Sequence, residues 1–323
     1  MSPTLLMVVS SLLFALMGVC VKFASAQYGA GELVFYRSLV GLLLMGVVLR
    51  ARGISLRTPV PAMHFWRSAS GVTALCMWFY AIGNLPLATA MTLNYMSSVW
   101  IALFLVGGAV LTSAPRAGPD RPAPRGGSSS PAEPDLLEGN ERGGVDGRLV
   151  AAVLAGFAGV AMVLRPTIAQ QQLWHGVVGL GSGLLAAMAY LQVTALGRVG
   201  ESGARVVFYF SIGGLVAGAG LTALAGGPHG HTGQGAALLL AIGVLATLGQ
   251  WMMTRAYATG ATLGIAALQY LGIAYSFGFG VWLFDDPVTP LALAGMLLIV
   301  AAGVAATLLR GQAPRSEATP TET

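Results

Sequence analysis

Apolar residues form ten long stretches in this chain, and short runs of polar residues, glycine or proline separate one stretch from the next. A helix needs about 20 mostly apolar residues to cross the hydrocarbon core of a bilayer. The pattern therefore predicts ten membrane-spanning helices. They cover residues 4–26, 33–50, 65–83, 88–111, 148–165, 176–197, 205–225, 236–257, 262–284 and 289–309.

The composition agrees with this pattern. Charged residues make up 9% of the 323 residues and hydrophobic residues 55%, whereas soluble proteins carry about 25% charged residues. A soluble chain could not cover its surface with so few charges. We therefore predict an all-α integral membrane protein, with the lipid bilayer as one of its partners.

Arginine is distributed unevenly between the predicted loops. If the N terminus is cytoplasmic, ten arginines fall in cytoplasmic loops or the C-terminal tail, and Arg165 is the exception at the outer end of a span. Arg67, Arg148 and Arg205 then lie at the inner ends of spans. Because basic residues concentrate on the cytoplasmic side, we predict that both termini are cytoplasmic. The net charge of +5 is thereby explained by topology, and no nucleic-acid partner is expected.

Residues 112–147 differ from the rest of the chain. They contain six prolines and seven glycines in 36 residues, a composition typical of disordered segments. We interpret this segment as a disordered cytoplasmic insertion between two five-span halves. The tail, residues 311–323, has the same character and the same predicted state.

Three short segments of the first half recur in the second half in the same order. An odd number of spans per copy means that the second copy enters the membrane from the opposite side. The pattern predicts two inverted five-helix repeats, an arrangement that transporters use for alternating access. The paired segments are VFYRS (34–38) with VFYFS (207–211), LNYM (93–96) with LQYL (268–271), and AGFAGVAMVLRP (155–166) with LIVAAGVAATLLR (298–310).

These residues resemble the EamA branch of the drug/metabolite transporter superfamily. The resemblance rests on Lys22 late in the first span, VFYRSLVG at 34–41, PLATAMTL at 86–93, and FDDPVTPLALAGMLLIVAAGV at 284–304. The chain departs from the family where a Glu usually ends the ninth helix, because Asp285 and Asp286 stand there. The linker also replaces the equivalent join in the first half.

The resemblance implies two EamA repeats, an inner-membrane location, and movement of metabolites that is often outward. The first repeat comprises helices 1–4 in residues 1–111 and helix 5 at 148–165. The second comprises helices 6–10 in residues 166–310.

Three charged residues lie at one level of the outer leaflet in this topology: Lys22, Glu32 and Arg37. Charge within a membrane is costly and is a functional hypothesis by default. One interpretation is an outer gate or an anion-attracting vestibule. The other is snorkelling to the headgroups or a structural ion pair. The equivalent of Arg37 in the second half is the uncharged Phe210.

Deeper in the spans the polar residues are uncharged, and they form the predicted substrate-binding site. Asn94–Tyr95 and Gln269–Tyr270 recur symmetrically, so they are the central candidates; hydrogen bonds that merely join helices are the alternative. An uncharged site favours a neutral, zwitterionic or amphipathic solute, and the lack of a mid-depth carboxylate disfavours simple proton coupling. The full set of candidates is Trp78, Asn94, Tyr95, Ser98, Tyr190, Gln250, Trp251, Gln269 and Tyr270.

The sequence does not support a membrane enzyme. The four histidines fall in loops or at span ends, and no catalytic motif or metal-ligand spacing is present, so we expect no catalytic residue, metal or cofactor. The sequence contains no phosphate-binding loop, so ATP hydrolysis by this chain is not expected. We predict a secondary transporter that exports a small metabolite; a channel, a scaffold or a lipid-linked flippase is the alternative. The sequence leaves open whether the chain acts as a monomer or a homodimer.

Overall fold

The computed structural model describes residues 2–85, 87–101, 104, 147–164, 173–259, 262–284 and 290–311. These residues are helical apart from short connections. Residues 97–101 are helical again after α4 ends. The labelled helices are α1 (Pro3–Ala24), α2 (Ala30–Ala51), α3 (Pro61–Asn84), α4 (Leu87–Tyr95), α5 (Gly147–Leu164), α6 (Leu173–Arg198), α7 (Gly203–Leu224), α8 (Gly233–Thr259), α9 (Thr262–Leu268), α10 (Leu271–Phe284) and α11 (Pro290–Gly311).

Each of the ten predicted spans overlaps helical residues. The predicted ninth span, 262–284, is divided into α9 and α10. The predicted fourth span, 88–111, extends beyond the described residues. Nearly all of the predicted linker and tail also lies outside them, so the disorder of the linker and tail stays a prediction.

Local sequence explains where the helices begin and end. Ser2 caps α1, because its Oγ accepts a hydrogen bond from the Leu5 amide at 3.2 Å. Proline occupies the first position of α1 and of α3, where its missing amide hydrogen costs no helical bond. Gly53 and Gly200, with φ of +62° and +78°, follow α2 and α6 and adopt a conformation that favours glycine.

Within the part of the chain that the structure describes, six helical segments are long and apolar enough to cross a membrane: α1, α2, α6, α7, α8 and the stretch Gly264–Phe284. Large apolar side chains face outward from several helices; Val47 is 68% exposed, Leu224 86% and Trp282 77%. Such a surface would be unfavourable in water but is solvated by lipid. The chain is a multi-pass membrane protein.

The most extensive helix contacts join the two halves of the chain. They are α2 with α7, α5 with α11, α3 with α6, and α1 with α8. Each pair takes one helix from before residue 165 and one from after it. The interior of the protein is therefore the interface between the halves.

Glycine permits the closest of these approaches. A Cβ built on Gly218 of α7 would lie 2.5 Å from the backbone N of Phe35 in α2. A Cβ on Gly183 of α6 would meet the carbonyl oxygen of Leu93 in α4. Both glycines belong to small-residue motifs of the kind that allow close helix packing in membranes.

Candidate functional site

A cavity lies between the two halves, with about 630 Å³ of space not occupied by atoms, part of it open to solvent. Helices α1 to α4 line it from the first half, and α6 to α8 together with the break after α9 line it from the second. The residues that line it are Met7, Ser11, Phe14, Met17, Arg37, Arg67, Gly71, Ala74, Leu75, Trp78, Asn94, Tyr95, Ala186, Ala189, Tyr190, Phe210, Gln250, Met253 and Gln269.

Two helix breaks meet the cavity. Helix α4 ends at Tyr95 and α9 ends at Leu268, immediately before Gln269. Both breaks fall within the recurring LNYM and LQYL segments. A broken helix frees backbone groups that must find partners inside the protein. Ser11 Oγ supplies one such partner, because it donates to the Leu268 carbonyl at 3.4 Å.

Side chains at these breaks connect the helices around the cavity. Asn94 Nδ2 donates to Ser182 Oγ of α6 at 3.1 Å. Gln269 Nε2 donates to the hydroxyl of Tyr257, whose ring stacks on that of Tyr190 with centroids 5.1 Å apart. Amide side chains thus hold both breaks in place while they remain part of the cavity wall.

Two buried arginines face the same cavity. Arg37 of α2 is 4% exposed and Arg67 of α3 is 2% exposed. Their Cζ atoms lie 5.0 Å and 4.4 Å from the centroid of the Phe210 ring. Arg37 Nη2 also donates to Gln250 Oε1 at 3.3 Å. The cavity is therefore cationic, and the expectation of an uncharged site is wrong for this part of the protein.

Neither arginine is neutralised by a carboxylate within the described residues. Glu32 and Glu201 are the only acidic side chains in that part of the chain, and both have other partners. Glu32 contacts His229 at 2.6 Å, and Glu201 contacts Arg205 at 2.7 Å and His64 at 3.5 Å. The positive charge of the cavity is left uncompensated there.

Six of the nine predicted binding residues line this cavity: Trp78, Asn94, Tyr95, Tyr190, Gln250 and Gln269. The other three lie elsewhere. Ser98 Oγ donates to the Ala266 carbonyl at 2.7 Å, Trp251 packs under Arg52 and Arg255, and the Tyr270 ring lies against Gly156 of α5. That the six bind a substrate stays a prediction.

The three predicted gating residues do not form one group. Lys22 Nζ donates to the carbonyls of Ile82 and Leu85, at 3.0 and 2.9 Å. It therefore caps the end of α3. Glu32 accepts from the amides of Gly29 and His229. Of the three, only Arg37 reaches the cavity.

Arg67 was missed as a site residue. Its position near the inner end of a predicted span fitted a topology signal, and no local pattern marks it as buried. A usable sign was its place inside the predicted span 65–83 rather than in the loop before it. As to metal sites, no cluster of three or more His, Cys, Asp or Glu side chains occurs among the described residues.

Comparison with known proteins identifies the family of this membrane protein. The model of the EamA-like transporter family matches residues 1–107. The pseudopaline exporter CntI of Pseudomonas aeruginosa is 32% identical over 308 residues, which cover 94% of this chain and 95% of the relative. The chain belongs to the EamA-like transporter family. The resemblance seen in the sequence is thereby confirmed.

Two further proteins are similar over nearly the whole chain. An uncharacterized transporter of Helicobacter pylori is 24% identical over 307 residues, 93% of this chain and 92% of its own. A solved crystal structure superposes with a TM-score of 0.70 at 17% identity and covers 96% of this chain and 99% of that one. This structural likeness shows a shared fold.

Proposed function

We propose that this EamA-family protein is a secondary exporter that carries a small metabolite across the inner membrane by alternating access. Ten spanning helices form two inverted five-helix repeats in this proposal, with both termini cytoplasmic. The observation that carries it is the cavity between the halves, where a broken helix from each half meets the space. Transporters place their substrate site at such broken helices.

The helix contacts support the inverted repeat. A two-fold rotation that exchanges the halves pairs α1 with α6 and α3 with α8, so it converts the α1–α8 contact into the α6–α3 contact. It leaves the α2–α7 and α5–α11 contacts unchanged. These four contacts are the most extensive ones observed, and each is either kept or exchanged for another of the four by this symmetry.

Individual side chains support the same symmetry. A Cβ on Gly41 would lie 2.7 Å from Ser211 Oγ, and a Cβ on Gly214 would meet Ser38 Oγ. Ser38 and Ser211 are equivalent in VFYRS and VFYFS, and each glycine lies three residues after its serine. Each serine therefore packs on the glycine of the other copy.

Two polar clusters join the halves at opposite ends of α2. One joins Glu32, in its first turn, to His229 of the α7–α8 connection. In the other, Glu201 before α7 accepts from Thr58 of the α2–α3 connection at 2.6 Å. In an alternating-access cycle these clusters are the contacts that open in turn. Outward transport is proposed because the relative at 32% identity is named an exporter.

Counterflow in liposomes tests the proposal. Purified protein is reconstituted into liposomes loaded with pooled amino acids, nucleobases and vitamins, and uptake of each labelled solute is measured. We expect saturable counterflow of at least one solute and a loss of about tenfold in kcat/KM for Asn94→Ala and for Gln269→Ala, because each removes a polar group from the cavity wall.

Asn84→Ala is the matched control. Asn84 is exposed, and its Nδ2 donates to the Tyr80 carbonyl of its own helix at 2.8 Å. Its replacement is expected to leave counterflow unchanged. Passage that never saturates and shows no exchange with internal solute would instead indicate a channel, and folded, inserted protein with no flux of any pooled solute would count against transport.

A further inference from the structure

The cavity wall holds two guanidinium groups that the rest of the described chain leaves without an anion. Arg37 and Arg67 are each more than nine-tenths buried, and the two carboxylates of that part of the chain are bound to other groups. A buried charge without a partner is costly. A fold that keeps two of them beside one cavity is poised for an anion that arrives from outside the chain.

Hydrogen-bonding capacity in the cavity points the same way. Among the described lining residues, the buried polar atoms without a protein partner are mostly donors. The only acceptor among them is Oε1 of Gln269. The donors are Nε of Arg37, Nε and Nη1 of Arg67, Nε1 of Trp78 and Nε2 of Gln250. A solute rich in acceptor oxygens would satisfy them.

The local packing holds these groups in place. The guanidinium carbons of both arginines lie over the Phe210 ring. Gly71, one turn after Arg67, leaves room for the Arg67 head, because a Cβ there would meet Nη1. Arg37 is further oriented by Gln250 Oε1. The arginine heads are therefore positioned before any solute binds.

We propose that the cavity binds a solute that carries a carboxylate group, held by the guanidinium groups of Arg37 and Arg67. Guanidinium groups match carboxylates in geometry and can bind them with paired hydrogen bonds. The remaining wall, which includes Phe14, Trp78 and Met253, suits an apolar or aromatic body. That the cavity binds this solute does not depend on the proposed transport function; that the solute is carried across the membrane rests on it.

Ligand-induced stabilisation of the purified protein tests the site without any flux. The probes are succinate and benzoate, each compared with its neutral amide at equal ionic strength. We expect a saturable rise in the melting temperature with the carboxylates and none with succinamide or benzamide. Arg37→Gln and Arg67→Gln should each weaken the apparent affinity for the carboxylate at least tenfold.

Arg52→Gln is the matched control, because Arg52 also lies over an aromatic ring, 5.6 Å from the Trp251 centroid, but is exposed. It should keep the affinity of the unmodified protein. If Arg37→Gln or Arg67→Gln fails to fold, Arg37→Lys and Arg67→Lys keep the charge, lose the paired geometry and should still weaken binding.

The assignment would be overturned by equal stabilisation with acid and amide, by an equal loss of carboxylate affinity in Arg52→Gln, or by binding of methyl phosphate with no carboxylate bound. Flux of neutral solutes without carboxylate binding would also overturn it and leave transport standing. Arginine-dependent carboxylate binding without flux of any solute would uphold the site and count against transport.

Discussion

Arg37 lies over the ring of its own sequence counterpart, with its Cζ 5.0 Å from the centroid of Phe210. The two residues hold equivalent places in VFYRS and VFYFS, and α2 and α7 pack so that these places meet. The same ring also contacts Arg67. A second arginine at position 210 would put three like charges together, which explains why only one copy of the motif carries the charge.

Phe210→Arg is expected to destabilise the protein strongly. It would bring a third cation within about 5 Å of two buried ones, and each such pair costs about 3 kcal/mol at an effective dielectric constant of 20. Thermal unfolding in detergent should show a melting temperature well below that of the unmodified protein, or no folded protein at all.

Phe210→Leu is the control for this change. Leucine keeps an apolar side chain but removes the ring, so we expect the loss of two cation–π contacts, about 1–2 kcal/mol in total. If Phe210→Arg were as stable as Phe210→Leu, the two guanidinium groups could not both lie at this position.

Gly218→Ala should weaken the contact between the halves. The added Cβ would meet the Phe35 backbone, which cannot move away as a flexible side chain would, so we expect a loss of about 1–3 kcal/mol in the free energy of unfolding. Gly220→Ala, two residues away in α7, meets nothing within 4 Å. It should be neutral or slightly stabilising, because alanine favours helix. Equal melting temperatures for the two variants would contradict this packing.

Glu201 should make stability depend on pH. Burial raises the pKa of its carboxyl group. Hydrogen bonds from Thr58 and Arg205, together with the nearby charges of Arg205 and His64, lower that pKa by more than burial raises it, so the pKa lies below its ordinary value. A carboxyl with a lowered pKa in the folded state stabilises the fold above its unfolded pKa, about 4.3. That stability is lost as the pH falls through the folded value.

The check is thermal unfolding of the unmodified protein and of Glu201→Gln between pH 3 and 7. At neutral pH the variant should be less stable by about 1–3 kcal/mol, since hydrogen bonds to a charged group are lost. The difference should shrink towards low pH. A difference that is the same at every pH would mean that the charge of Glu201 does not hold the α2–α3 connection.

Lys22→Met tests the structural role of the only lysine. Lys22 donates to the carbonyls of Ile82 and Leu85 at the C-terminal end of α3, where a cation is favourable because of the helix dipole. We expect a loss of about 1–3 kcal/mol in the free energy of unfolding, with Lys22→Arg largely restoring it. Unchanged stability combined with altered counterflow would point to a gate instead.

The central residues illustrate how far sequence can reach. Asn94 and Gln269 were predicted at the centre because they recur at equivalent places, and the structure places both at helix breaks beside one cavity. Tyr270 recurs equally well, yet its ring turns to α5 and packs on Gly156. Recurrence identifies a level in the membrane, but it does not say which direction a side chain faces.

Arg67 illustrates the opposite case. It lies six positions after Pro61, where α3 begins, and a long side chain at that depth ordinarily reaches the headgroups. Packing against Phe210, with space left by Gly71, turns it inward instead. The contact with Phe210 is remote in sequence and depends on how the helices are arranged, whereas Gly71 lies one turn further along α3 itself.

The sequence by itself determined the membrane class, the approximate spans and the family, because the length of an apolar run and short recurring motifs are properties of the chain. The tertiary structure decided which polar residues share a cavity and which arginines are buried. The physical reason is that helices apolar on every side carry no amphipathic period to distinguish the interior from the lipid face. Close packing through glycine and serine at the interface of the halves makes that distinction.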